Sequence, residues 1–467
     1  MQQKLQCTVL SDLHYCSKKN WVDGFSAQQP PRRDQLFFSA STEIVDHTFR
    51  QLCRKDTPEI VLISGDLIYN GDRNSHQEMH RALQTLQDEG KRVFVITATH
   101  DYASPQMPTY GFDRNDRPVP VKAVPREELL QYYGDFGYNS ALAVHPPTMS
   151  YVAQLTPGCR LLAINDDYGD PHCGFSPDCM DWIACQAAQA KEEGQFLLAM
   201  THHPLVPPSP LFAAVAPGDM LDRFRQRRAH LAKMGIRLIL TGHTHMHNIA
   251  CVSVDGDPFY DISTAALTGF PPAYRTLCID PDKAQVQVRT HYVDRVPGVN
   301  THGLSLADYT KDLFFGTIAD ALDSAVHDYP RFMDFAAGMS LSKEVTAKYK
   351  PLFAGGARFL NRLTFGKVWR WVHIGSGISK AEIRPIAQKK VVPYVIDIAA
   401  NLYRGDGAVP QNSPEYKLTL AVLRMADRMT KPFAAKLRAT GIDSISTAVL
   451  PLVHKTGIPD GNATLYI

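Results

Sequence analysis

Over its first 295 or so residues the chain alternates short apolar runs with amphipathic stretches. Residues 5–10, 59–63, 92–96, 160–164, 196–200 and 236–240 are compact and mostly apolar, which predicts strands buried on both faces. Between them, apolar positions recurring near every 3.6 residues predict helices over 40–55, 75–89, 178–193 and 219–234. Runs at 249–254, 258–263, 275–279 and 284–292 predict a closing antiparallel set. Buried strands separated by helices indicate a layered α/β domain.

Two stretches interrupt this rhythm. Residues 102–125 are rich in Pro, Tyr and Arg and form a long predicted loop, a candidate lid. Residues 204–218 are a second, proline-rich loop. Around Val296-Pro297-Gly298 the texture changes, and helices are predicted over 306–326, 341–352, 379–400, 414–429 and 431–440. The expected division is therefore a domain over 1–297 and a mainly α-helical extension over 298–467, whose role the sequence does not assign.

Composition adds limits. The chain has 467 residues, 44% hydrophobic and 21% charged, which is ordinary for a globular protein and excludes a collagen-like or disulfide-miniprotein class. No apolar run approaches the ~18 residues of a membrane span. Net charge is +2 but unevenly distributed: residues 331–438 hold 19 Lys and Arg against 7 Asp and Glu. Those basic helices suit peripheral contact with an anionic surface, or simply present a solvated face. No specific nucleic-acid motif is present. The nine cysteines are scattered, all before residue 279, without paired zinc spacing. They fit a reducing compartment, so a cytoplasmic chain is expected; a signal peptide removed before residue 1 would make it an exported one.

The chemistry lies where strands end. Strand 5–10 runs into Ser11-Asp12-Leu13-His14, strand 59–63 into Ser64-Gly65-Asp66, and strand 92–96 into Ala98-Thr99-His100-Asp101. Strand 196–200 leads to His202-His203-Pro204, and strand 236–240 to Gly242-His243-Thr244-His245. Ligands of open α/β sheets bind beyond the carboxyl ends of strands, and five strands deliver Asp or His to that edge. Mixed imidazole and carboxylate donors suit Mn, Fe or Zn, and a pair of such ions can clamp the attacking and leaving oxygens at phosphorus.

In this order and spacing the motifs resemble the calcineurin-like metallophosphoesterases: Asp-x-His, Gly-Asp, Gly-Asn-His-Asp, His, then Gly-His-x-His. The resemblance implies a four-layer αββα sandwich of two mixed β-sheets, two divalent metal ions and a phosphate-ester substrate. It implies that Asp12, His14, Asp66 and His245 hold one ion, and Asp66, His202 and His243 the other. A metal-bound hydroxide would attack phosphorus, with His100 as proton donor to the leaving oxygen and Asp101 orienting it. His202 matches the family ligand better than His203, lying two before the proline.

One position departs from the pattern. Thr99 stands where the family has an asparagine that ligates the second metal, so occupancy of that site is in question. Two functions from different classes follow: a phosphate mono- or diesterase, or a catalytically weakened phosphate-ligand or membrane-associated binding protein on the same fold. Tyr102, Tyr110, Arg114 and Arg117 are candidates to line a substrate lid. His247 either touches substrate or stabilises its loop. Asp166 and Asp167 are either acids behind the ligands or a turn. His76 and His80, four apart on a helix, read more readily as a polar face than as a metal pair. Phe365-Gly366-Lys367-Val368-Trp369-Arg370-Trp371 packs in a helical core or lies on a membrane surface.

Overall fold

The computed structural model describes residues 3–26, 33–105, 107–167, 173–338, 341–374, 376–407, 409–439 and 441–467. Fifteen strands are present among them. In chain order they are β1 (Leu5–Leu10), β2 (Ile60–Ser64), β3 (Arg92–Ile96), β4 (Gly111–Phe112), β5 (Pro118–Val119), β6 (Ala143–His145), β7 (Ser150–Thr156) and β8 (Cys159–Ala163). They continue with β9 (Phe196–Met200), β10 (Leu238–Thr241), β11 (Asn248–Val254), β12 (Asp257–Ser263), β13 (Ala273–Asp280), β14 (Gln285–Tyr292) and β15 (Ala463–Tyr466).

Two mixed sheets form the frame. The first has the order β15-β14-β13-β1-β2-β3, the second β11-β12-β10-β9-β8-β7-β6, and β4-β5 is a small separate ribbon. Strands β1, β2 and β3 are parallel, as are β8, β9 and β10.

Period-2 alternation explains why these strands read as unbroken apolar runs. Leu5, Cys7 and Val9 of β1, Ile60 and Leu62 of β2, and Leu198 and Met200 of β9 face a core between the sheets. Val61 and Ile63 point the other way, onto helices Ser41–Leu52 and Arg73–Asp88. Leu197, Ala199 and Ile239 point onto helices Pro177–Glu192 and Phe224–Lys233. Three cores separate four layers, the expected αββα sandwich. Each fully buried Leu, Ile or Val contributes about 1.5–3 kcal/mol of transfer free energy.

The remaining chain is mainly helical, and it differs from expectation at its prolines. The helix predicted over 341–352 is two, Lys343–Lys348 and Lys350–Arg362, with Pro351 in the first turn of the second. The helix predicted over 379–400 is also split. Lys380–Ile383 runs into a 3₁₀ turn at Pro385, and Val391–Arg404 starts afresh with Pro393 in its first turn. Proline lacks the N–H an interior turn needs but fits a first turn, so each break falls just before one. The end of the expected 431–440 helix, residue 440, lies outside the described residues.

Strands β4, β5, β6, β7 and β15 were not anticipated, and the β4-β5 ribbon lies within the expected loop 102–125. β15 pairs antiparallel with β14, so the chain ends back in the first sheet. Asp460, just ahead of it, is 1% exposed. Its Oδ1 accepts from the Ile249 amide and the Lys455 ammonium, its Oδ2 from the Asp406 amide. The Asp406 carboxylate in turn accepts from the amides of Asp460 and Gly461 at 2.6 and 2.9 Å. Replacing Asp460 by Ala leaves two amides unpaired and the Lys455 ammonium with only a 3.4 Å bond to the Ile249 carbonyl. It should lower stability by about 2–4 kcal/mol, read as a fall in the urea midpoint at constant m.

Candidate metal centre

The carboxyl ends of β1, β2 and β3 in one sheet and of β9 and β10 in the other converge on one edge. The five strands thus belong to two sheets, and loop contacts join them. The Asp12 and His14 amides donate to the carbonyls of Gly65 and Asp66 at 3.1 and 3.0 Å. The His243 amide crosses to the Asp12 carboxylate at 3.1 Å. Asp12, His14, Asp66, His243 and His245 all adopt positive φ, from 41 to 63°. Each costs on the order of 1 kcal/mol for a residue with a side chain, a strain that recurs where side chains are aimed at a functional site. Two glycines make the convergence possible. A Cβ on Gly65 would lie 2.7 Å from His202 Nδ1, and one on Gly242 would run into Ser11 Oγ and Asp12 Oδ2.

Two groups of donor atoms result. Asp12, His14, Asp66 and His245 form one, Asp66, His202 and His243 the other, with the atoms of each group within 4.8 Å of one another. Asp66 belongs to both. The atomic detail fits cations. His202 donates Nδ1–H to the Ser64 carbonyl at 2.7 Å, so its lone pair sits on Nε2. That Nε2 is buried without a hydrogen-bond partner, 3.2 Å from Asp66 Oδ2. His14 Nε2 and His245 Nε2 face each other at 3.0 Å. Burial pushes the Asp66 carboxyl up, but His202, His100 and His14 outweigh it and hold the group well below the usual range. Burial, with His203 and His202 beside it, holds the His243 imidazole well below its ordinary value.

A model of calcineurin-like phosphoesterases matches residues 5–247, more than half of the chain. The chain belongs to this family. Solved structures similar to this chain include a dimetal phosphatase from Danio rerio, at 14% identity and TM-score 0.41, over 61% of this chain and 95% of that one. A purple acid phosphatase from yellow lupin (Lupinus luteus) seeds matches at 11% identity and TM-score 0.41, over 62% of this chain and 52% of that one. No curated protein sequence matches the chain.

Buried acids lie behind the donors. Asp166 accepts from Thr201 Oγ1 and from the His202 and His203 amides, and its Oδ1 lies 2.9 Å from His203 Nδ1. It is an acid behind the ligands, and it draws His203 away from the donor groups, consistent with His202 as the matching residue. Asp261, in β12, accepts from Thr241 Oγ1 and from the amides of Leu205 and Val206. It therefore braces both the loop after His202 and the strand leading to His243. An acid between Tyr260 and Ile262 in the middle of a buried strand was the sequence signal for it.

The geometry corrects several expectations. Asp101 does not orient His100: its oxygens accept from the Ile68 and Ala98 amides at 3.0 and 2.8 Å. His100 instead donates Nδ1–H to the Tyr69 carbonyl at 2.7 Å, and its amide donates to Asp66 Oδ1. Thr99 is half-buried on the same turn, Thr99–Asp101. His247 points away from the centre and bonds Thr290 Oγ1 at 2.7 Å, so it braces its loop. Arg114 and Arg117 are exposed, and Arg114 sits near Asp23. Tyr102 bonds the Asp167 carbonyl. His76 is fully buried on Tyr133 Oη at 2.7 Å, not part of a polar face.

A cavity of about 330 Å³ opens beside the centre, lined by Asp34, Tyr69, Asn70, His100, Tyr110 and His245 among others. From the expected lid 102–125, Met107, Pro108 and Tyr110 line it, whereas Tyr102, Arg114 and Arg117 do not. Burial raises the Asp261 carboxyl from an ordinary 3.8 to about 6. The folded state holds this proton more tightly than the unfolded chain. Its contribution to stability is full below about pH 4 and lost as pH rises through about 6. Asp261→Asn should flatten that part of the stability–pH curve, measured by urea unfolding from pH 4 to 7.

Proposed function

We propose that the chain is a metal-dependent hydrolase cleaving a phosphate mono- or diester at a dinuclear centre of Asp and His. The observation that carries this reading is Asp66, whose carboxylate belongs to both donor groups. Asp12, His14, Asp66 and His245 would hold one ion, and Asp66, His202 and His243 the other. Two bound divalent ions, with Mn, Fe or Zn the best match to these donors, supply Lewis-acid activation of the phosphoryl group and of water.

The chain's own groups do the rest. With Nδ1–H committed to the Tyr69 carbonyl, His100 has Nε2 as the atom that exchanges a proton. Nε2–H donates to the leaving oxygen or to the phosphoryl oxygen as charge develops there. Asp101 acts on the backbone, holding the Ala98–Asp101 turn against the Asp66 loop. The cavity flanked by Tyr69, Asn70 and Tyr110 receives the alcohol portion. Thr99 favours the second reading, a phosphate-ligand-binding chain with little turnover, because its short hydroxyl is a poor substitute for an amide ligand.

Stripping the protein with chelator, restoring Mn²⁺, Fe²⁺ or Zn²⁺ separately and counting ions separates the two. We expect two ions and metal-dependent hydrolysis of p-nitrophenyl phosphate or its bis ester. One weakly held second ion, tightened by Thr99→Asn, would locate the defect at Thr99. Full occupancy without turnover would favour the binding protein. His100→Ala should lower kcat by about 10²–10⁴-fold at unchanged ion count, and unchanged turnover would remove His100 as the acid.

A further inference from the structure

Eight of the nineteen large apolar side chains exposed among the described residues lie between 341 and 374. They are not fragments of an unfinished core. On helix Lys350–Arg362, Ala354 and Ala357 are buried, while Leu352 and Phe359, two turns apart on the opposite side, are 70% and 53% exposed. On helix Phe365–Val372, Phe365, Val368 and Val372 fill the helical core, yet Trp371 is 55% exposed. Phe359 and Trp371 stack at 5.9 Å with ring planes 9° apart, which joins the two outer faces into one patch. Ile374, three residues on, is 86% exposed. A solvated helix places polar residues on such a face.

The charge around the patch has one sign. Residues 341–374 contain seven Lys and Arg and a single acid, Glu344. Lys343 pairs with Asp334, but Lys348, Lys350, Arg358, Arg362, Lys367 and Arg370 have no acidic partner among the described residues. Arg358 and Arg362 flank the Leu352–Phe359 face, and Arg370 adjoins Trp371. Exposed Trp, Phe and Leu ringed by cations match the boundary of an anionic bilayer: the rings enter the acyl boundary while the long basic stems reach the headgroups.

We propose that the outer face of helices Lys350–Arg362 and Phe365–Val372, extended by Ile374, docks the protein peripherally on an anionic lipid surface. No helix among the described residues is long and apolar enough to cross a membrane, so the contact is interfacial. A protein partner would need acids matched to these cations. A lipid surface needs only negative charge and a deformable apolar layer, and the strongly exposed Leu352 and Ile374 suit it better.

The test uses the full-length protein with vesicles of phosphatidylcholine alone or mixed with phosphatidylglycerol. Co-sedimentation should occur with the mixed vesicles, weaken as salt rises, and bring a blue shift of tryptophan emission. Leu352→Ser with Ile374→Ser should weaken vesicle binding roughly tenfold or more, and Arg358→Gln with Arg362→Gln should reduce its salt dependence. All four side chains are exposed, and unchanged circular dichroism would confirm folding. The proposal is overturned if the folded protein ignores both vesicle types, if the Leu352/Ile374 variant binds as well as the parent, or if the patch instead drives self-association, seen by light scattering and lost in the same variant.

Discussion

The Asp66 carboxylate lies where two separate sheets end, enclosed by imidazoles from both. An isolated buried carboxylate costs several kcal/mol. Here His202 approaches from the second sheet and His14 from the neighbouring loop of the first, both within 3.7 Å of Oδ2. The His100 amide takes Oδ1. The rest of the site follows from keeping these groups together. Gly65 and Gly242 are needed because a Cβ at either would occupy the space of a converging side chain, and five donor-bearing residues accept a left-handed backbone. The donors are aimed before any ion arrives, so little reorganisation is left for binding.

The buried acids behind the donors convert tertiary packing into ligand orientation. Asp166 organises the His202–His203 turn, Asp261 holds the two histidine-bearing loops from beneath, and Asp101 binds the turn of His100 to the loop of Asp66. The helical region joins this support. The His247 amide donates to the Tyr403 carbonyl at the end of helix Val391–Arg404, two residues after His245. Asp460 and β15 fasten the end of the chain to β11 and β14. The helical extension thus contacts the donor loops directly while turning a basic, apolar face outward.

Much of the frame was legible because both faces of its central strands are covered. Burial on two sides writes a continuous apolar run, and β1, β2, β3, β9 and β10 were found within two residues of their ends. Less was legible where burial is one-sided or comes from afar. Ala143–His145 and Ala463–Tyr466 are short edge strands without a clear alternation of their own; the first is defined by its hairpin partner β7 and the second by β14, far back in the chain. The helical region misled through proline, since periodicity continues across Pro351 and Pro385 although the backbone does not.

The sequence by itself determined the donor set. Asp and His at strand ends, in a fixed order, are chemistry that local spacing records, and they identified the family. Tertiary structure decided which partners those residues have. Asp101 serves backbone amides and not His100, His247 braces a seam, Arg114 and Arg117 face solvent, and Asp261 supports the centre from inside a strand. Each of these depends on contacts between segments tens to hundreds of residues apart. A side chain's type and local spacing set what it can bind, but its direction and its neighbours exist only once the two sheets have packed.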